Sequence, residues 1–230
     1  MSTWSADNAI SASESQWGEQ RPFGPSFDHT RARTLTKSSP VNADGECVMY
    51  WMCRDNRVKD NHAMLAARGL AKEVGVPLKV LFPFYTSFGD MSLRQFTFMA
   101  EGLKEVEKDC RELKIPFSVE VSAPDDLPDT VLEAAKTCKA AAVVTDHMPL
   151  RAVKAWTIAA ASGLDAAGIP LFQVDAANVV PVWVASWKQE VGARTLRPKI
   201  NSLYGTYLKP FPDLEANVID VEVCCIDLLL

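Results

Sequence analysis

The sequence predicts an α/β protein: a Rossmann-like sheet of five parallel strands in the order 3-2-1-4-5, with helices on both faces. Three observations carry the parallel sheet covered on both faces. From residue 47 to residue 174, short apolar runs alternate strictly with longer stretches of helical period. The runs are apolar at consecutive positions, as in strands covered on both sides. Each pair of runs is separated by one helix-length stretch, the crossover that parallel neighbours need, and crossovers of this kind are right-handed.

The first strand is Cys47-Val48-Met49-Tyr50-Trp51-Met52-Cys53, which stops at Arg54-Asp55-Asn56. A helix over residues 58–74 follows, with Ala63, Ala67, Leu70 and Val74 on one face and Gly75 as its C-terminal stop. Residues 77–84 form the second strand. Residues 91–113 form the most regular helix, in which Phe96, Met99, Leu103, Val106, Cys110 and Leu113 step by threes and fours. The third strand, 116–121, is short. A helix over 128–138 turns Val131, Ala134, Ala135 and Cys138 inward, and residues 140–145 make the fourth strand. The last helix, from 149 or 150 to 167, carries Val153, Trp156, Ala160, Leu164 and Ala167 and ends at Gly168; residues 170–174 are the fifth strand.

The flanks read differently. Residues 1–45 are rich in Ser, Asn, Asp, Pro and Gly without a sustained period, and are expected to be a disordered N-terminal extension. Arg31, Arg33 and Leu35 mark where that stretch begins to associate with the α/β domain of residues 46–180. Residues 176–200 are expected to be irregular, since Pro198 biases Arg197 away from helical geometry. A short helix over 201–209 carries Leu203, Tyr204, Tyr207 and Leu208. Residues 181–212 are assigned as a linker and 213–230 as a tail, whose apolar last stretch, 218–230, has no domain to belong to.

Composition sets bounds. At 230 residues, with 48% apolar and 23% charged residues and a net charge of −5, the chain is an ordinary globular protein without a global basic field. The six cysteines lack C-x-x-C spacing and the three histidines are scattered, which argues against a metal site. The thiols read as reduced. Neither a signal peptide nor a membrane span is recognisable, so an intracellular place is expected, whether nucleus, cytoplasm or organelle.

An open parallel sheet binds ligands beyond the carboxyl ends of its strands. Arg54 and Asp55 stand there after the first strand, Asp146 and His147 after the fourth, and Asp175 and Asn178 after the fifth. Each also has a plainer reading. Arg54 and Asp55 could end a strand as an ion pair, Asp60 and Asn61 could cap a helix, His62 and His147 could be packed, and Trp51 is core. Lys188, Arg194, Arg197 and Lys199 form either a solvated linker or a contact with an adjoining domain or a polyanion. There is no dinucleotide-binding glycine turn, phosphate loop or nucleophile elbow, which disfavours a self-contained dehydrogenase, kinase or hydrolase.

Several of these segments resemble one family. Tyr50-Trp51-Met52-Cys53-Arg54-Asp55-Asn56-Arg57-Val58-Lys59-Asp60-Asn61-His62-Ala63 resembles the opening strand and helix of class II DNA photolyases, which repair cyclobutane pyrimidine dimers. Val143-Val144-Thr145-Asp146-His147-Met148-Pro149-Leu150-Arg151 is similar to their fourth strand and turn. Gln173-Val174-Asp175-Ala176-Ala177-Asn178-Val179-Val180-Pro181 and the stretch through Arg197-Pro198-Lys199-Ile200 match most closely. The resemblance spans residues from about 31 to 212. It implies an antenna-type α/β domain for a deazaflavin-like chromophore, with Arg54, Asp55, Asn61, Asp146 and Asp175 as candidate ligands. In the family, a linker leads to a helical domain that binds FAD and damaged DNA and supplies the lyase chemistry. Here that domain is expected to be missing, so the chain is expected to be inactive alone. Lys188, Arg194, Arg197 and Lys199 become interdomain or DNA-side contacts. The alternatives are a non-catalytic cryptochrome-like module, or a generic nucleotide-binding α/β protein.

Overall fold

The computed structural model describes residues 5–15, 21–37 and 41–217. Its elements in chain order are α1 (Ala6–Ser15), a 3-10 turn (His29–Arg31), β1 (Ala32–Thr34), β2 (Cys47–Trp51), α2 (His62–Val74), β3 (Leu78–Tyr85), α3 (Leu93–Glu112), β4 (Phe117–Ser122), α4 (Leu127–Thr137), β5 (Ala140–Asp146), α5 (Arg151–Ala166), β6 (Leu171–Val174), α6 (Val182–Ala185) and α7 (Ala193–Tyr207). The sheet order is β1-β6-β5-β2-β3-β4. The five expected strands are β2 to β6, all parallel to their neighbours and in the expected order.

Alternation along β2 builds the two layers, because successive side chains leave a strand on opposite faces. Val48, Tyr50 and Met52 join the core formed with Ala63, Met64 and Leu70 of α2 and Leu103, Val106 and Cys110 of α3. Cys47, Met49 and Trp51 join the opposite core, with Val131 and Ala135 of α4 and Ala160 and Leu164 of α5. A one-residue slip of β2 would exchange every one of these contacts. Gly75 ends α2 at φ 79°, a left-handed position suited to glycine, and its N–H returns to the Ala71 carbonyl at 2.9 Å.

Three parts of the sequence reading are corrected. First, much of the stretch assigned to a disordered extension is folded. β1 adds an antiparallel sixth strand to the outer edge of β6. Phe23 is buried with its ring 5.3 Å from Phe172, edge to face. Arg31 donates to the carbonyls of Asn178 and Val179, and Arg33 holds the Gln173 side chain at 2.6 Å and 3.0 Å. The physical reason is the open edge of β6, whose backbone groups need partners, and three residues suffice without any periodic signal. At Gly69 of α2 an added Cβ would lie 2.3 Å from the Phe23 carbonyl, so this segment rests directly on the helix backbone. The parts of that assignment at residues 1–4, 16–20 and 38–40, including Trp4 and Trp17, lie outside the described residues.

Second, the end of the irregular segment, from residue 193, and the short helix are one helix, α7, running through Pro198, and α6 forms earlier in that segment. Leu196, Ile200, Leu203 and Tyr207 pack with Val184 and Ala185 of α6 and with Ala9 and Ile10 of α1. This amphipathic stripe outweighs the hydrogen bond that Pro198 cannot donate.

Third, residues 213–217, assigned to a foreign tail, are bound to the domain. Arg68 of α2 donates to the carbonyls of Glu215 and Ala216 at 3.1 Å and 2.7 Å. Asn217 is bonded in both directions to the Leu78 backbone, at 3.1 Å and 3.0 Å, and donates to the Lys114 carbonyl at 2.9 Å. The segment therefore satisfies backbone groups at the start of β3. Residues 218–230 lie outside the described residues.

Candidate functional site

The carboxyl ends of β2 and β5 meet in one buried polar network, beside an aromatic slot that β3 also walls. Tyr50 is fully buried, and its hydroxyl donates to Asp146 Oδ1 at 2.7 Å. Asp146 Oδ2 accepts the backbone N–H groups of Cys53 and Arg54 at 2.9 Å and 2.8 Å, which folds the chain back as it leaves β2. Burial pushes the Asp146 carboxyl up to about 6, against the opposing pull of those N–H groups and of Tyr50. Asn61 closes the network. Its amide donates to the Tyr50 hydroxyl at 3.1 Å and to the Asp55 and Arg57 carbonyls, both at 3.0 Å. Its oxygen caps α2 by accepting from Ala63 and Met64 N–H at 2.9 Å and 3.1 Å.

Four of the five residues singled out in the sequence thus come together: Arg54, Asp55, Asn61 and Asp146. The functional groups of Asn61 and Asp146 are engaged within the chain, so they shape the loop at residues 53–61. Arg54 Nη1 donates to the His147 carbonyl at 3.1 Å. Asp55 is raised by burial and lowered by Arg57 and Arg54, and its Oδ2 is buried without a partner. Asn56 Oδ1 and His147 Nδ1 are buried and unpartnered as well. Burial also lowers His147, whose ring lies 5.3 Å from Trp183. Asp175 stands in a separate turn. It accepts from the Asn178 side chain at 2.8 Å and from Val182 N–H at 2.8 Å, and so fixes the start of α6.

Of the four linker cations, Lys188, Arg194 and Arg197 are exposed. Lys199 is tied to Glu190 at 2.7 Å and to the Ser186 hydroxyl at 3.1 Å. That contact, first among its causes, holds the Glu190 carboxyl down at about 2. His62 is packed: its ring lies 4.3 Å from Phe211, and burial lowers it to about 3.

The aromatic slot was not legible from the sequence. It encloses about 130 Å³ between β2, β3 and the start of α5, lined by Trp51, Cys53, Tyr85, Phe88, Met148 and Trp156 among others. Tyr85, Phe88 and Trp156 form a triangle with ring centroids 5.3–5.9 Å apart. Trp51, read as core, is fully buried, yet its indole N–H has no acceptor. A buried donor of this kind ordinarily finds a partner. Cys53 joins slot and network, since it lines the first while its N–H bonds Asp146 in the second. The available signal was the placement of aromatic residues at the ends of several elements, which periodicity counts only as core.

Among the described residues, no cluster of three or more His, Cys, Asp or Glu could hold a metal, and no helix is long and apolar enough to cross a membrane.

Comparison with known proteins supplies the family. The DNA photolyase family model matches residues 48–215. The chain is 37% identical over 186 residues to a deoxyribodipyrimidine photo-lyase of Potorous tridactylus, covering 81% of this chain and 34% of that protein. It is 38% identical over 188 residues to the protein of that name from Arabidopsis thaliana, covering 80% and 37%. It is 35% identical over 194 residues to that of Methanothermobacter thermautotrophicus, covering 84% and 42%. The chain therefore spans between a third and about two fifths of the length of these relatives. The sheet order, the loop built around Asp146 and the extent of the match lead to one conclusion: this chain belongs to the DNA photolyase family.

Proposed function

We propose that this chain is the antenna-type α/β domain of a class II photolyase and serves light-dependent repair of cyclobutane pyrimidine dimers in DNA. In this reading it takes a deazaflavin-type chromophore at the carboxyl ends of β2, β3 and β5. The observation that carries the proposal is the slot with the orphaned Trp51 N–H. A flat, largely apolar ring system with a hydrogen-bond acceptor at its edge suits both its walls and its unused donor.

At about 130 Å³ the slot is smaller than the roughly 300–1,000 Å³ of ordinary small-molecule sites, so it grips part of a ring system and leaves the rest at the rim. Met91 and Met148 line it, and unbranched methionines adapt at little cost. In this reading Arg54 and Asp55, which follow Cys53 in the chain, meet the chromophore outside the slot. Asn61 and Asp146 act by holding the 53–61 loop, and Asp175 by holding the turn before α6. When bound, the chromophore would absorb light and pass on the excitation. The chain's own residues bind it, fix its orientation and exclude water.

The relatives' names supply the substrate class. The flavin chemistry and the contact with damaged DNA fall, in this proposal, to a helical domain of the kind found in the rest of the family. The exposed Lys188, Arg194 and Arg197 face that domain or DNA. The chain of 230 residues alone then lacks repair activity.

The test is to mix the purified chain with a deazaflavin and follow near-ultraviolet and blue absorption through gel filtration. Co-elution is expected, with quenching of tryptophan fluorescence and weaker binding in Trp51→Phe. A folded chain that leaves the chromophore in the flow-through refutes the antenna role. Dimer repair by this chain alone, under blue light with FAD supplied, refutes the division of labour.

A further inference from the structure

We propose that Cys47 and Cys138 form an oxidisable dithiol, a modification site for hydroperoxides that closes to a disulfide between the amino end of β2 and the carboxyl end of α4. The site lies at the opposite end of the sheet from the aromatic slot and does not depend on the reading above.

The fold brings the two residues together by backbone pairing. Cys47 is in register with Ala140 on the neighbouring parallel strand. One step before it, Glu46 N–H bonds the Lys139 carbonyl at 2.8 Å, and the Glu46 and Lys139 side chains form an ion pair. Lys139 has φ 49°, a tight left-handed turn that swings Cys138 back over the start of β2. The Cys47 thiol donates to the Cys138 carbonyl oxygen at 3.2 Å.

Their environments differ in the way a reactive pair needs. Cys47 is fully buried. Cys138 is part-exposed and lines an open groove of about 370 Å³ beside Lys79, Glu133 and Thr137. The Cys138 thiol is lowered, first by the Cys47 side chain and also by the positive charge of Lys79, whereas Cys47 is raised by the same contact. Cys138, which solvent reaches beside Lys79, is the attacking thiolate, and the buried Cys47 is the resolving thiol.

The chemistry closes without a metal or cofactor. The Cys138 thiolate attacks the distal oxygen of a hydroperoxide. The O–O bond breaks, the alkoxide leaves and takes a proton from water, and Cys138 becomes a sulfenic acid. Cys47 sulfur then attacks Cys138 sulfur, the S–O bond breaks, and hydroxide leaves with the Cys47 proton as water. Two thiols lose two electrons, and the hydroperoxide is reduced to an alcohol and water.

The experiment uses the full chain carrying Cys224→Ser and Cys225→Ser, since those two thiols lie outside the described residues. It is titrated with hydrogen peroxide and read by intact mass and peptide mapping. The expected result is loss of two hydrogens and a Cys47–Cys138 linked peptide, both reversed by a dithiol reductant. Cys138→Ser should abolish the cross-link. Cys47→Ser should leave Cys138 as a sulfenic acid trapped by dimedone. Oxidation of Cys138 to sulfinic acid with Cys47 still a free thiol overturns the proposal. So does selective oxidation of Cys53 or Cys110 while the pair stays reduced.

Discussion

Replacing Asn61 separates a structural role from a ligand role at the carboxyl end of the sheet. Asn61 is 1% exposed and serves two tasks with two ends of one amide. The oxygen caps α2 through Ala63 and Met64, and truncating such a cap to Ala costs about 0.5–2 kcal/mol. The NH2 serves the Tyr50 hydroxyl and the Asp55 and Arg57 carbonyls. Leaving a buried partner unsatisfied costs roughly 1–3 kcal/mol, and only the Tyr50 contact is fully buried, so one such penalty applies in full. Asn61→Ala should therefore lose about 1.5–5 kcal/mol, a large share of the roughly 5–15 kcal/mol that holds a typical domain. Asn61→Asp keeps the capping oxygen but turns its second oxygen toward the Asp55 and Arg57 carbonyls, so it should lose at least the roughly 1–3 kcal/mol of an unsatisfied buried partner. Urea unfolding at pH 7, followed by tryptophan fluorescence, measures both. Losses below about 0.5 kcal/mol in both variants would refute the reasoning. So would unchanged stability combined with weakened deazaflavin binding, which would make Asn61 a direct ligand.

Two further outcomes are expected. Burial holds His62 at about 3, below its ordinary 6.5, so between those values the unfolded chain takes up a proton that the folded chain refuses. Stability from this group is complete above about pH 6.5 and is lost as pH falls toward 3; His62→Phe, which can keep the stack on Phe211, should raise the melting temperature at pH 4.5 relative to the parent while changing it little at pH 7.5. An equal shift at both pH values would exclude the titration. Pro198→Ala restores a helical N–H inside α7 and should stabilise that helix by about 1–3 kcal/mol, seen as slower amide exchange over residues 196–207. Faster exchange there would mean that the proline fits α7 better than alanine does.

That the five strands are parallel was legible in the sequence because it rests on local regularities. Apolar runs such as Cys47-Val48-Met49-Tyr50-Trp51 can be buried only on both faces, and one helix between each pair of runs forces parallel crossovers. A boundary marked by special chemistry was legible as well, since Gly75 closes α2, whereas the helix starts at residue 62 rather than 58, behind the Asn61 cap. The family motifs share this character, since they are contiguous strings at the strand ends.

Tertiary structure decided everything that needed a partner distant in sequence. β1 exists because β6 had an unfilled edge, and α7 passes through Pro198 because its apolar stripe finds α1 and α6. Asp146 and Asp175 look alike in sequence, each an acid at a strand end. Asp146 holds the loop after a strand 93 residues earlier, whereas Asp175 holds a turn 7 residues ahead. The pairing of Cys47 with Cys138, 91 residues apart, and the free indole N–H of Trp51 have no local signature at all. Periodicity records which side of an element is apolar. Only the packed sheet determines which polar atoms on that side find partners and which are left without one.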